Sequence, residues 1–177
     1  GYAIAQAALD AGAHVHLISA NVALPDPPGA QVTRVESARE LQAAVQSAEA
    51  DVIVMAAAVA DFRPREYASY KIKKTHEVGR EEEAPTIELV RNPDILAGLV
   101  ADRAARGGGG PLLVGFAAET GDDAHSVLDL ARDKLARKGC DLLVANEVGT
   151  DLVFGQDRTT ITILAADRPE PLAVVTD

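Results

Sequence analysis

The sequence predicts an α/β fold: a three-layer Rossmann-like sandwich with a mostly parallel sheet and a C-terminal antiparallel hairpin. Three observations carry this. Apolar runs of strand length at 15–20, 52–58, 112–119 and 141–148 alternate with helix-patterned segments. Val52 to Ala58 is apolar throughout, as expected of a strand covered on both faces in a parallel sheet. Near the end, TTITIL and PLAVV flank AADRPE, the pattern of a hairpin. At 177 residues the chain is one domain of ordinary size, large enough to bury a core.

The elements follow in order. GYAIAQAALDAGA reads as a helix with Ile4, Ala8 and Leu9 on its apolar side and Gly12 as its stop. VHLISA, Val15 to Ala20, is a strand, so helix and strand form the second half of a βαβ unit whose first half is absent. The chain is therefore expected to be a piece of something longer. After the Pro/Gly loop NVALPDPPGA comes a short extended piece, Val32 to Val35. Ser37 with Glu40 three residues on is a capping box for the helix ARELQAAVQSAEA, whose buried side carries Leu41, Ala44 and Val45. The strand Val52 to Ala58 leads to Asp61 and an Arg- and Pro-containing loop, then to Lys71, Lys73 and Lys74.

Thr75 to Pro85, with Glu81, Glu82 and Glu83, reads as an exposed acidic loop. TIELV is a short strand. Asn92 is the expected N-cap, and Pro93 the first-turn residue, of the helix ILAGLVADRAAR. The glycines 107–110 connect to the strand LLVGFAAE, which ends at Glu119 and Thr120. Ser126 to Lys138 is a helix stopped by Gly139, with Lys134 and Lys138 one turn apart on one face. DLLVANEV is the last strand before the hairpin and ends near Asn146.

Composition narrows the function. The chain is 47% hydrophobic and 25% charged, which excludes a disordered tail, and no apolar run reaches the roughly 18–20 residues that span a bilayer. The first ten residues read as a helix rather than a secretory leader. A formal charge of -10 argues against nucleic acid or an anionic membrane as partner. The lone Cys140 rules out a disulfide framework and fits a reducing compartment, with cytoplasmic location expected. Its setting, K-G-C-D-L-L-V, suits a small buried hydrophobe. His14, His16, His76 and His125 lack the spacing of a zinc site.

Against 27 acids and 17 bases, three lysines within four residues form a local basic island. Open α/β sheets take ligands at the carboxyl ends of their strands, where Asn21, Asp61, Glu119, Thr120 and Asn146 fall. The lysines suit a polyphosphate or a leaving pyrophosphate; one well-placed donor commonly contributes about 3–4 kcal/mol to a transition state. In K-I-K-K, alternation puts Lys71 and Lys73 on one side and Ile72 on the other. Asp61 suits a magnesium ion on phosphates or a ribose hydroxyl. The plainer roles are a turn-forming Asp61, an Asp94 favoured by the helix dipole, and Lys134 and Lys138 placed by that same dipole. Tyr67 and Lys71 also spell Y-x-x-x-K, the pair of short-chain dehydrogenases. They sit after Pro64 rather than in a long helix, with no serine upstream as far back as Ser47.

Several motifs in series extend the reading: A-A-A-V-A-D-F (56–62), K-I-K-K (71–74), R-N-P-D-I-L (91–96), V-G-F-A-A-E-T (114–120), A-R-D-K-L-A-R-K-G-C-D-L-L-V-A-N (131–146) and the opening G-Y-A-I-A. In this order they resemble phosphopantothenate–cysteine ligase, the synthetase domain of bifunctional coenzyme A biosynthesis proteins, in its actinobacterial form. The resemblance implies that residues 1–177 are a single nucleotide-binding ligase domain. It also implies truncation at the N-terminus, where a first strand and phosphate loop would lie, and at the C-terminus, where a helix would follow. It implies a CTP- and Mg2+-dependent reaction of 4'-phosphopantothenate with L-cysteine through an acyl-cytidylate. Lys71 would be catalytic. Ala57, Asp61, Lys71, Asn92, Pro93, Asp94, Ile95, Phe116, Lys134 and Lys138 would bind the nucleotide, and Asp61 would reach the metal. A homodimer and fusion to a decarboxylase domain are implied as well, with no flavin in this domain. Two other readings stand beside it: an NAD(P)-dependent reductase built on Tyr67 and Lys71, and a non-catalytic nucleotide-binding module.

Overall fold

The computed structural model describes residues 1–71, 86–119, 126–147 and 160–176. Helix α1 (Tyr2–Asp10) ends where expected, and Gly12 turns the chain at a φ of 86°. Strands β1 (His16–Ala20) and β2 (Gln31–Val35) pair in parallel, with Leu17 opposite Val32. Tyr2 Oη and the buried Ser19 Oγ lie 2.8 Å apart and tie α1 to β1. Helix α2 (Ala38–Gln46) opens with the predicted capping box: Ser37 Oγ accepts from the Glu40 N–H, and the Glu40 carboxylate accepts from the Ser37 N–H.

The main sheet has five strands in the order β3-β6-β7-β8-β9. Its parallel part is β3 (Val52–Met55), β6 (Leu112–Glu119) and β7 (Leu142–Glu147). Strands β8 (Thr160–Ala165) and β9 (Ala173–Thr176) add the predicted antiparallel hairpin. A mixed α/β architecture with a parallel centre and a closing hairpin is thus what the chain adopts. Helices α3 (Ile95–Ala105) and α4 (Val127–Lys138) join the parallel strands. Ser126 caps α4 through a second capping box with Asp129, and Gly139 stops it at a left-handed φ of 70°.

Alternation along the strands sends one set of side chains to a single core. Leu113, Ala117, Leu143, Ala145 and Leu164 meet Leu41 and Val45 of α2, Leu96 and Leu99 of α3, and Ala131 and Leu135 of α4. Gly115 makes the close fit possible, because a Cβ there would stand 2.8 Å from Leu96 Cδ2 and 3.0 Å from Leu143 Cδ1. Cys140 is fully buried beside it, as the sequence suggests, and burial pushes its thiol pKa up. Asp141 locks α3 to the sheet by accepting from Arg103 Nη1 and, at 2.7 Å, from the Leu113 N–H.

Three expectations are corrected. Strand β3 stops at Met55 rather than Ala58, and it is not covered on both faces. Ile53 and Met55 pack on the core, but Val52 and Val54, which alternate to the other face, are 51% and 39% exposed. The stretch after Asp61 is not simply a loop: β4 (Phe62–Pro64) and β5 (Leu89–Arg91) form an antiparallel ribbon of their own. The N-cap of α3 is Asp94, not Asn92. Asp94 Oδ1 accepts from the Ala97 N–H, while the Asn92 amide is committed elsewhere. Ile72, Lys73, Lys74, the acidic loop at 81–83 and Thr120 lie outside the described residues. Among those residues, no helix is long and apolar enough to cross a membrane.

Candidate active site

Strands β3 and β6 run parallel with Met55 opposite Gly115, so the segment 56–61 leaves the sheet beside Phe116 at the carboxyl edge. Ala57 and Asp61 lie exposed on that segment. The ribbon begins one residue later. Its register places Phe62 opposite Arg91 and Pro64 opposite Leu89, with the Arg91 guanidinium 5.9 Å from the Phe62 ring centroid. Pro64 is tolerated because the ribbon has only two strands.

Where the ribbon ends, the Asn92 turn is fastened to the Asp61 segment. The Asn92 N–H donates to the Asp61 carbonyl at 2.8 Å, and Asn92 Nδ2 donates to the Ala60 carbonyl at 2.8 Å. Arg63 Nη1 donates to the Arg91 carbonyl at 2.6 Å and to Asn92 Oδ1 at 3.2 Å. Pro93 follows, then Asp94 at the head of α3, and Ile95 anchors the helix at 5% exposure.

Lys138, at the end of α4, pairs with Asp94 Oδ2. Burial pushes the Asp94 carboxyl up. The hydrogen bonds from Lys138 and the Ala97 N–H and the charges of Lys138 and Arg137 outweigh it, so the pKa lies below its ordinary value. The structure therefore brings together Asp61, Asn92, Pro93, Asp94, Ile95 and Lys138 through contacts or chain adjacency; Ala57 lies on the segment that leads to Asp61, and Phe116 is on the adjoining strand. Lys134 lies one turn before Lys138 on α4. Lys71 is exposed in an irregular segment and makes no described contact with that group. Tyr67 is 93% exposed and, like Lys71, lies outside any helix, so the helical Tyr/Lys geometry of a short-chain reductase is not present.

Among the described residues no three His, Cys, Asp or Glu side chains gather as a metal cluster. That donor set still fits magnesium held mainly by phosphates, which commonly takes only one or two protein carboxylates. Asp61 is an exposed carboxylate on the segment that leaves β3. Sequence reasoning gave a strand near 86–90 but missed Arg63, β4 and the pairing that makes the ribbon. The only signal was the short alternation Ile87, Leu89, Arg91, and its partner strand lies too far along the chain for a turn motif to announce it.

A parallel α/β sheet with a carboxylate on the segment leaving one strand, fastened to the head of a helix that a lysine pairs with, fits the class of open α/β domains that take ligands at the carboxyl ends of their strands. A family model described as the DNA/pantothenate metabolism flavoprotein C-terminal domain matches residues 1–175, and the chain belongs to that family. Among its relatives is the coenzyme A biosynthesis bifunctional protein CoaBC of Mycobacterium tuberculosis, 51% identical over 178 residues, covering 96% of this chain and 40% of the relative. The protein of that name from Mycolicibacterium smegmatis is 48% identical, covering 96% of this chain and 41% of the relative. The chain thus spans about two fifths of the length of the curated relatives it matches. The crystal structure of the C-terminal domain of a coenzyme A biosynthesis bifunctional protein CoaBC superposes with a TM-score of 0.68 at 30% identity, covering 100% of this chain and 71% of that one.

Proposed function

We propose that this domain carries out the CTP-dependent ligation of 4'-phosphopantothenate to L-cysteine in coenzyme A biosynthesis. The observation that carries this reading is the fastening of the Asp61 segment to the Asn92–Ile95 turn at the sheet edge, in a chain half identical to proteins named for that pathway. In the first step a carboxylate oxygen of 4'-phosphopantothenate attacks the α-phosphorus of CTP. The bond to the β-phosphate breaks, leaving an acyl-cytidylate and pyrophosphate. In the second step the cysteine amine attacks the acyl carbon, the amide forms, and CMP departs with the bonding electrons.

The residues divide the work by chemistry. Lys71 offers an ammonium to the negative charge that builds as pyrophosphate leaves. Asp61 would hold Mg2+ together with the phosphates, and the ion would supply screening of their negative charge. The Asn92 amide is bonded to Ala60 and Arg63, so the turn Asn92, Pro93, Asp94, Ile95 presents its backbone to the base. Phe116 and Ala57 border the nucleotide, and Lys134 and Lys138 supply positive charge from α4. The domain works as a homodimer, in the cytoplasm, fused to a decarboxylase domain that brings its own flavin.

Full-length protein supplied with CTP, Mg2+, 4'-phosphopantothenate and cysteine is expected to release pyrophosphate. Lys71→Ala should lower that rate by about 10²–10³-fold. Undiminished release in the variant removes Lys71 from the mechanism. CTP binding without turnover in the parent protein would favour the non-catalytic module.

A further inference from the structure

Arg63 is the feature of the site region that the proposed chemistry does not use. It projects from β4, is only partly exposed, and faces no carboxylate among the described residues. Its Nη1 instead donates to two oxygens of consecutive residues, the Arg91 carbonyl and Asn92 Oδ1. The neighbouring arginines are accounted for on the outside of the ribbon: Arg65 pairs with Glu88 at 2.9 Å, and Arg91 lies over Phe62.

The consequence is geometric. Asn92 Nδ2 is bound to Ala60 and its backbone N–H to Asp61, so Arg63 closes a ring of bonds through 60–63 and 91–92. Holding Oδ1 fixes which way the Asn92 amide faces, and that keeps Nδ2 on Ala60. Asn92 is followed by Pro93, which has no N–H of its own with which to anchor the turn. The next fixed point is Asp94 at the head of α3.

We infer that Arg63 is a positioning residue for nucleotide selection: it clamps the Asn92 turn against the Asp61 segment so that the turn meets the base in one orientation. This rests on the reading of residues 92–95 as the base-contacting turn. A charged donor holding two carbonyl-type oxygens resists rotation of the turn more than a neutral one, because charge-assisted hydrogen bonds are about twice as strong.

The test uses full-length protein with Arg63→Met, which keeps bulk and removes the donor, and Arg63→Lys, which keeps a charged donor. Arg63→Met is expected to raise KM for CTP about tenfold, the scale of one lost bond to a charged group. Its preference for CTP over UTP should narrow by a similar factor, while KM for 4'-phosphopantothenate stays within about twofold. Arg63→Lys should recover part of both changes. If Arg63→Met does not fold, Arg63→Gln, whose head falls short of both acceptors, reads the same quantities. A melting temperature that falls while KM for CTP and the CTP/UTP preference stay at parental values overturns the inference, since that marks a merely structural role. If the parent protein itself shows no CTP-dependent pyrophosphate release, the proposed function fails, and amide exchange at Asn92, Asp94 and Ile95 decides the clamp. Faster exchange in Arg63→Met than in the parent upholds it, and equal exchange overturns it.

Discussion

Two neighbouring regions are held in opposite ways. Beneath α3 and α4, Leu113 and Leu143 are 1% exposed and Leu164 is 2% exposed, and the packing is tight enough to require glycine at 115. In the β4–β5 ribbon, Phe62 is 51% and Leu89 55% exposed, and the strands are held by their backbone bonds, Arg63, the Arg65–Glu88 pair and Arg91 over Phe62. Apolar burial is strong and non-directional, so it suits the first region, which fixes the strands. Hydrogen bonds and ion pairs at a wet surface add little net stability but are directional, so they suit the second, which holds the Asn92 turn against residues 60–63. Stability therefore resides in one region and orientation in the other.

The largest expected effect breaks that contrast from the core side. Leu143→Ala should cost about 2–5 kcal/mol, because the removed methyl groups leave a cavity that the close approach of α3 cannot collapse. Urea unfolding measures it, and a loss below about 1 kcal/mol would put the core on the same footing as the ribbon.

Asp141→Asn probes a polar lock in the core region. It should cost about 1–2 kcal/mol at neutral pH, after allowing for screening at a side chain 36% exposed. The Arg103 hydrogen bond is the main cause that holds the Asp141 pKa below its ordinary value, and the Leu113 N–H and the Arg103 charge add to it against a smaller effect of burial. A depressed folded pKa stabilises above the unfolded value, near pH 4, and that contribution is lost as pH falls through the folded value. The parent should therefore lose stability on acidification below about pH 4 more steeply than Asp141→Asn. Parallel curves for the two proteins would remove Asp141 as the source.

The smallest effect is expected on the ribbon. Glu88→Gln removes the partner of Arg65, but the two side chains are 68% and 53% exposed, so the loss should stay below about 1 kcal/mol. Raising the salt concentration should shrink it further. A loss comparable with that of Leu143→Ala would mean that the ribbon carries stability after all.

Most of the fold was legible because it is written in short-range patterns. The Ser37–Glu40 capping box, the stops at Gly12 and Gly139, the α4 span and the closing hairpin each depend on residues within a few positions of one another. The core residues Leu41 and Val45 followed from helical spacing. The candidate site was legible only as a set of positions near strand ends, since strand order and direction bring the Asp61 segment beside Phe116.

What the sequence determined by itself is which segments become the helices and, β4 apart, where the strands fall, and which charged side chains follow the strand ends. Tertiary structure decided how they are used. Asn92 and Asp94 are both good caps by local preference, and only the ribbon settles the choice: the Ala60 carbonyl and Arg63 engage Asn92, and Asp94 is left to cap α3. Lys138 and Asp94 stand 44 positions apart in the chain, and only the packing of α4 beside α3 makes them a pair. Val52 reads as core by composition, yet it stands half exposed because it alternates to the face of β3 opposite the core that Ile53 and Met55 join. Local propensity is a property of neighbours in sequence. Partner choice is set by which groups the completed fold brings within hydrogen-bonding distance.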